Sequence, residues 1–177
     1  MQQEIKFGGK MKDKIATDWS LAALIERGGV HYNLPGTSPK NMIAGIIDQL
    51  PPVPGLDPKK LLAEIMEREA LVSTGIGRGI ALPHPRNHML DEGVEPLVAL
   101  AFPSGLLDWN THDGSKVHTV FMIISVSAKQ HLGALSKINF LCQQEKFYSL
   151  IKGRAPKDEI IFTIREAETA WADGKIK

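Results

Sequence analysis

The chain has a single cysteine, Cys142, in 177 residues. No intrachain disulfide can form, and no cysteine cluster can hold a metal. That suits a reducing compartment, and a cytoplasmic protein is expected. No excess of one charge is present either: 21 Lys and Arg stand against 20 Asp and Glu, a formal net charge of +1. Such a balance has no electrostatic footprint for nucleic acid or an anionic membrane. No apolar run approaches the roughly 20 residues of a membrane span. The longest, Val117 to Val126, is interrupted by His118, Thr119 and Ser125 and reads as a buried strand. The N-terminus has no apolar h-region, so it does not read as a secretory signal. Partners among nucleic acids and direct membrane insertion are therefore not expected.

What is present fits one globular domain. Hydrophobic residues make up 43% and charged residues 23% of the chain, ordinary values for a folded protein. Residues 1–16 are polar and contain Gly8-Gly9 and four lysines. They read as a loose leader, with the domain proper over 17–177. Ser20 to Arg27 reads as a short helix ended by Gly28-Gly29. Thr37-Ser38-Pro39 opens a second, with a hydroxyl cap and a proline in the first turn. Met42, Ile43, Ile46, Ile47 and Leu50 give it one apolar face. Asp57-Pro58 opens a third, with Leu61, Leu62, Ile65 and Met66 inward. Leu97 to Phe102 and Val117 to Val126 read as buried strands. Ala128 to Gln144 reads as a helix with Leu132, Leu135, Ile138 and Leu141 on its core face. A short helix or turn over 145–152 and a last helix from Pro156 to about Ala172 follow. Strands alternating with helices predict an α/β single-domain sandwich, with a mixed, partly parallel sheet flanked by helices.

The segment Ser73-Thr74-Gly75-Ile76-Gly77-Arg78-Gly79-Ile80-Ala81-Leu82-Pro83-His84-Pro85-Arg86 carries the chemistry. Its glycines alternate, so the spacing is not that of a dinucleotide fingerprint, and Leu82-Pro83 stands where the helix should begin. No P-loop motif occurs anywhere. Pro83 and Pro85 hold Leu82 and His84 extended. An imidazole on so stiff a ribbon can be a nucleophile, a proton carrier, a metal ligand or simply a loop residue. His84 and His88 share zinc-ligand spacing, but Pro85 disfavours one helix through both, and the base glutamate of the HExxH motif is missing. His112 and His118 complete a metal set only through an unseen arrangement, so no metal site is expected. Trp19, Trp109 and Trp171 read as packing residues. Arg78 and Arg86 read as solvated or partner-docking charges.

Glu67-Arg68-Glu69, Ser73-Thr74-Gly75-Ile76-Gly77, Gly79-Ile80-Ala81-Leu82-Pro83-His84 and Lys129-Gln130-His131-Leu132 together resemble the signature of the mannitol/fructose-type enzyme IIA domains. These belong to the bacterial phosphoenolpyruvate:sugar phosphotransferase system and include the nitrogen-regulatory enzyme IIA proteins. Arg68 stands sixteen residues before His84, and His131 forty-seven after it. The resemblance implies that His84 accepts a phosphoryl group from HPr or its nitrogen-branch counterpart. It implies that His131 is the second active-site histidine and Arg68 the arginine beside the phosphoryl group. It implies the family's α/β sandwich, and neither a metal nor a cofactor. Ser73, Thr74, Gly75, Gly77 and Gly79 are candidates for a backbone phosphate cradle. Many members carry glycine where this chain has Pro85. Partners on this reading are an HPr-type phosphocarrier and either an enzyme IIB or a regulated kinase or transporter. The chain shows no fused enzyme IIB, no enzyme IIC and no HPr domain. That feature and the Ser-Thr-Gly-Ile-Gly pattern lean toward the nitrogen-regulatory branch, with a sugar-specific relay as the alternative.

Overall fold

The structure, a computed structural model, describes residues 19–174; the expected leader over 1–16 lies outside them. Among the described residues the helices are α1 (Leu21–Gly28), α2 (Pro39–Asp48), α3 (Pro58–Leu71), α4 (Ala128–Gln143), α5 (Glu145–Lys152) and α6 (Lys157–Ala172). Five strands are β1 (Val30–Leu34), β2 (Gly75–Gly77), β3 (Ile80–Ala81), β4 (Leu97–Pro103) and β5 (Thr119–Ile124). They form one sheet in the order β1-β4-β5-β3-β2. β1 runs parallel to β4 and β3 parallel to β5, while β4–β5 and β2–β3 are antiparallel. The expected mixed sheet flanked by helices is the architecture found.

The starts of the first four helices follow from their caps. Side chains of Ser20, Ser38, Asp57 and Ser127 accept from backbone N–H groups of the first turns they precede, satisfying donors that the helices cannot. Pro39 and Pro58 sit at first-turn positions where a missing N–H costs nothing.

Alternation along β4 and β5 divides the core in two. Val98, Leu100, Phe102, Phe121 and Ile123 face α1, α4, α5 and α6. Leu97, Ala99, Ala101, Val120, Met122 and Ile124 face α2 and α3. Both faces are covered, so both central strands are buried throughout, which is why they read as unbroken apolar runs. Ile80 and Leu82 lie on the first face and Ala81 on the second.

One expectation needs correction, and one strand was not expected. Leu132 is not on the core face of α4: it is 63% exposed. The buried residues are Ala134, Ile138, Leu141 and Cys142. At 100° per residue Leu132 lies nearly opposite Ala134, whereas His131 continues the buried stripe, three and seven residues before Ala134 and Ile138. Val30–Leu34 is a strand that composition did not announce. It is an edge strand whose residues are partly buried or exposed, so the apolar signal is weak.

Candidate functional site

His84 lies just past β3. The Pro83 carbonyl accepts from Ile123 N–H at 3.1 Å, carrying the extended ribbon on beside β5. β3 and β5 are parallel, so both end on the same edge of the sheet, where open α/β sheets bind ligands. β5 leads into α4, and Ser127 caps that helix through Gln130 N–H at 3.3 Å. The Gln130 side chain reaches back to Val126 N–H at 3.1 Å, an arrangement close to a capping box. His131 follows four residues after the cap. Its ring stands 4.5 Å from that of His84, centroid to centroid, tilted by 52°.

The His84 tautomer follows from one contact. Nδ1 is 2.8 Å from the Leu82 carbonyl oxygen. A carbonyl only accepts, so Nδ1 carries the proton and Nε2 holds the lone pair in the neutral ring. Burial pushes the His84 pKa below the usual histidine value. The Leu82 carbonyl and the Glu69 carboxylate oppose that shift, and the Arg68 charge adds to it. His131 is pushed down further, to about 4, by burial first and then by the charges of His84, His88 and Arg68. Both imidazoles are therefore neutral at physiological pH, and His84 presents a basic Nε2.

Arg68 is in the last turn of α3, where a cation suits the helix dipole. Its Nη1 donates to the Val72 carbonyl at 2.8 Å. Its charge lowers the pKa of both histidines, which puts it within electrostatic reach of the pair. His88, exposed on the loop after His84, stands near enough to act on His131.

The cradle candidates are placed differently. Ser73 Oγ donates to the Trp109 carbonyl at 2.6 Å and accepts from Gly75 N–H at 3.1 Å. Thr74 gives its N–H and its hydroxyl to the two carboxylate oxygens of Glu69, at 2.8 and 2.5 Å. Gly79 N–H donates to Ser115 Oγ at 2.9 Å. These amides are committed to protein acceptors. Gly77 and Gly79 flank Arg78 at the hairpin tip, where all three residues have positive φ (91°, 54° and 75°). A Cβ on Gly75 would stand 2.6 Å from Thr111 Cγ2, and one on Gly77 2.8 Å from Asp113 Oδ2. One on Gly79 would overlap the His118 ring. Close approach of the 108–118 segment dictates these glycines. The tip also lies at the start of β3, whereas His84 lies beyond its end.

Other readings resolve likewise. Arg78 lies 3.9 Å over the Tyr148 ring and pairs with Glu145 at 2.6 Å, a scaffold contact made before β3 begins, whereas His84 follows its end. Arg86 is exposed, 4.0 Å from Glu67. Trp109 is only 2% exposed and packs as expected, yet its Nε1 also donates to Glu69 at 3.1 Å. Sequence reasoning missed Glu69; only its place next to Arg68 hinted at it. Among the described residues no group of three or more His, Cys, Asp or Glu is arranged to hold a metal ion. No helix among them is long and apolar enough to cross a membrane.

A tethered imidazole at a strand end, a second histidine against it and an arginine whose charge reaches both are thus gathered at one edge of the sheet. The family described as "Phosphoenolpyruvate-dependent sugar phosphotransferase system, EIIA 2" matches residues 23–167. The chain belongs to that family, whose domains take part in phosphoryl transfer alongside HPr-type phosphocarriers and enzyme IIB domains. It is 28% identical over 149 residues to the fructose-specific EIIABC component of Bacillus subtilis, covering 82% of this chain and 23% of that one. It is 26% identical over 147 residues to the nitrogen regulatory protein of Pseudomonas aeruginosa, covering 81% of this chain and 93% of that one. It thus spans about a quarter of the first relative and nearly all of the second. In fold it is similar to nitrogen regulatory protein IIA-Ntr from Neisseria meningitidis, with a TM-score of 0.68 at 18% identity over 81% of this chain and 97% of that one. It is also similar to a chain in the complex of enzyme IIA-mannitol with phosphorylated enzyme IIB-mannitol from Escherichia coli, with a TM-score of 0.63 at 12% identity over 78% of this chain and 95% of that one.

Proposed function

We propose that this chain is a phosphocarrier that takes a phosphoryl group from phospho-HPr, or its nitrogen-branch counterpart, onto Nε2 of His84. The observation that carries the reading is the Nδ1–H contact to the Leu82 carbonyl, which leaves Nε2 as the one basic ring nitrogen. In the transfer, the P–N bond to the donor histidine breaks and its electron pair stays on the donor nitrogen. The Nε2 lone pair makes the new N–P bond. The His84 ring gains positive charge as it does so, and Nδ1–H directs that charge at the Leu82 oxygen. Arg68 offers guanidinium N–H groups to the phosphoryl oxygens, and His131 stands where it can donate to them. The phosphorylated His84 then acts as a switch for a regulated kinase or transporter. About −1.5 to −2 of added charge on a docking face can release one partner and recruit another.

A second reading has the likeness to the fructose-specific protein behind it: His84 passes its phosphoryl group to an enzyme IIB for sugar uptake. Leu71 and Val72, just past Arg68 in the chain, and Leu132, next to His131, are exposed and suit protein docking on either reading.

Intact-mass analysis after incubation with phosphoenolpyruvate, enzyme I and HPr tests the proposal. One acid-labile, base-stable phosphate is expected, absent from His84→Ala. Labelling of His84→Ala at the wild-type rate would remove His84 as acceptor. Transfer onward to an isolated enzyme IIB domain would favour the relay over the switch.

A further inference from the structure

Glu69 is placed neither to receive the phosphoryl group nor to sit idle on a helix surface. Its carboxylate accepts three hydrogen bonds: Thr74 N–H at 2.8 Å, Thr74 Oγ1–H at 2.5 Å and Trp109 Nε1–H at 3.1 Å. Thr74 and Trp109 are buried. From there a continuous chain leads to the reacting ring. The Thr74 carbonyl accepts from Leu82 N–H at 3.0 Å. The Leu82 carbonyl accepts from His84 Nδ1–H at 2.8 Å. Ser73 ties the same loop to the Trp109 carbonyl at 2.6 Å. Arg68, the residue before Glu69, grips the Val72 carbonyl at 2.8 Å.

We infer that Glu69 is a positioning residue for His84: through Thr74 and the Leu82 peptide it holds the carbonyl that keeps the imidazole in its Nδ1–H tautomer with Nε2 toward the incoming group. This deepens the proposed role of His84 and rests on it for its catalytic consequence. Three features support the assignment. A carboxylate is the acceptor-only group that can take all three of these donors. Hydrogen bonds to a charged acceptor are the strong ones, and in series they polarise one another. Glu69 is also close enough for its negative charge to favour protonated His84, so the same charge favours the ring that becomes positive on phosphorylation. Second-layer groups of this kind set the tautomer and orientation of a working histidine.

The test compares Glu69→Gln with Glu67→Gln in the full chain. Glu67 pairs only loosely with Arg86, at 4.0 Å, so it controls for lost charge on the same helix. Long-range proton–nitrogen NMR of the histidine rings reads the tautomer of His84 without any phosphotransfer. Single-turnover phosphorylation by phospho-HPr reads the consequence. Gln keeps one acceptor oxygen, but its NH2 faces the Thr74 hydroxyl, so that hydrogen bond reverses or is lost and the negative charge is gone. Glu69→Gln is therefore expected to turn the His84 ring into a tautomer mixture. Its transfer step should slow about tenfold to a hundredfold at unchanged KM for phospho-HPr, while Glu67→Gln matches the wild type. Thr74→Val, which keeps the peptide and removes the hydroxyl, should give a smaller change of the same sign. Thr74→Ser should restore the wild-type spectrum. These two carry the test if Glu69→Gln fails to fold. A wild-type His84 tautomer in folded Glu69→Gln, or in Thr74→Val where that variant must serve, overturns the inference. If the wild type accepts no phosphate while Glu69→Gln still shifts the tautomer, the positioning network stands and the phosphocarrier reading falls.

Discussion

At the scale of single residues, His84, His131 and Arg68 differ in protonation and charge, and the proposed function assigns each a part on that basis. The pKa of His84 is lowered, so its Nε2 stays unprotonated below the usual histidine value. Protonation would remove the lone pair that, on the proposed function, attacks phosphorus. The rate of phosphoryl acceptance is therefore expected to stay flat as pH falls from 8 through about 6.5 and to decline only at lower pH. A profile breaking above that value would contradict the burial that sets the shift. On the proposed function, Arg68→Ala and His131→Ala remove donors to the phosphoryl oxygens. Each is expected to slow single-turnover transfer by about a hundredfold, with the circular dichroism spectrum unchanged. Wild-type rates in both variants would show that neither touches the transferred group.

Elements set the site by their ends. β3 is short, yet its parallel run beside β5 brings the Pro83-His84-Pro85 ribbon to the start of α4. The β2–β3 hairpin feeds that ribbon, and its tip is packed by His118, Asp113 and Ser115. Gly79→Ala would press a methyl group onto the His118 ring from a backbone at φ 75°. A loss of about 1–3 kcal/mol or more is expected in chemical denaturation. Gly28→Ala acts at the other side of the sheet, where its Cβ would overlap the Val98 backbone of β4. It should destabilise at least as much, because a backbone atom cannot swing away. On α4, Leu132 faces solvent beside His131. Leu132→Glu should raise KM for the protein phosphodonor while leaving stability unchanged, as measured by phosphorylation kinetics and a thermal melt.

The whole molecule carries its own acid response. His84, His118 and His131 all have lowered pKa values, burial being the largest cause in each case. Between about 4, the His131 value, and about 6.5, the ordinary value, the unfolded chain binds more protons than the folded one. Stability therefore rises with pH across that window and is lost as pH falls through it. The carboxyls of Asp108, Asp113 and Glu168 are also lowered. Their contribution is present above ordinary carboxylate values and is lost at lower pH still. The melting temperature should thus begin to fall below about pH 6.5, before carboxylates titrate. A plateau down to pH 4.5 would mean that the three imidazoles are more solvated than their positions here allow.

Much of this is legible in the sequence alone. Ser38-Pro39 and Asp57-Pro58 announced α2 and α3, because caps and first-turn prolines act locally. The apolar runs of β4 and β5 announced a sheet covered on both faces. Arg68, His84 and His131 stood out through a family resemblance carried by residues around them, not through their spacing alone. What the chain could not disclose depended on partners distant in sequence. The outward turn of Leu132 depends on which arc of α4 meets the sheet. The glycines of the 75–79 segment looked like a phosphate nest until the 108–118 segment was seen pressed against them. Glu69 looked like one more helix charge until Thr74 and Trp109 closed on it. Local capping and periodicity are short-range and survive in the linear text; the donors that fill a carboxylate and the surfaces that crowd a glycine arrive only when the chain folds back on itself.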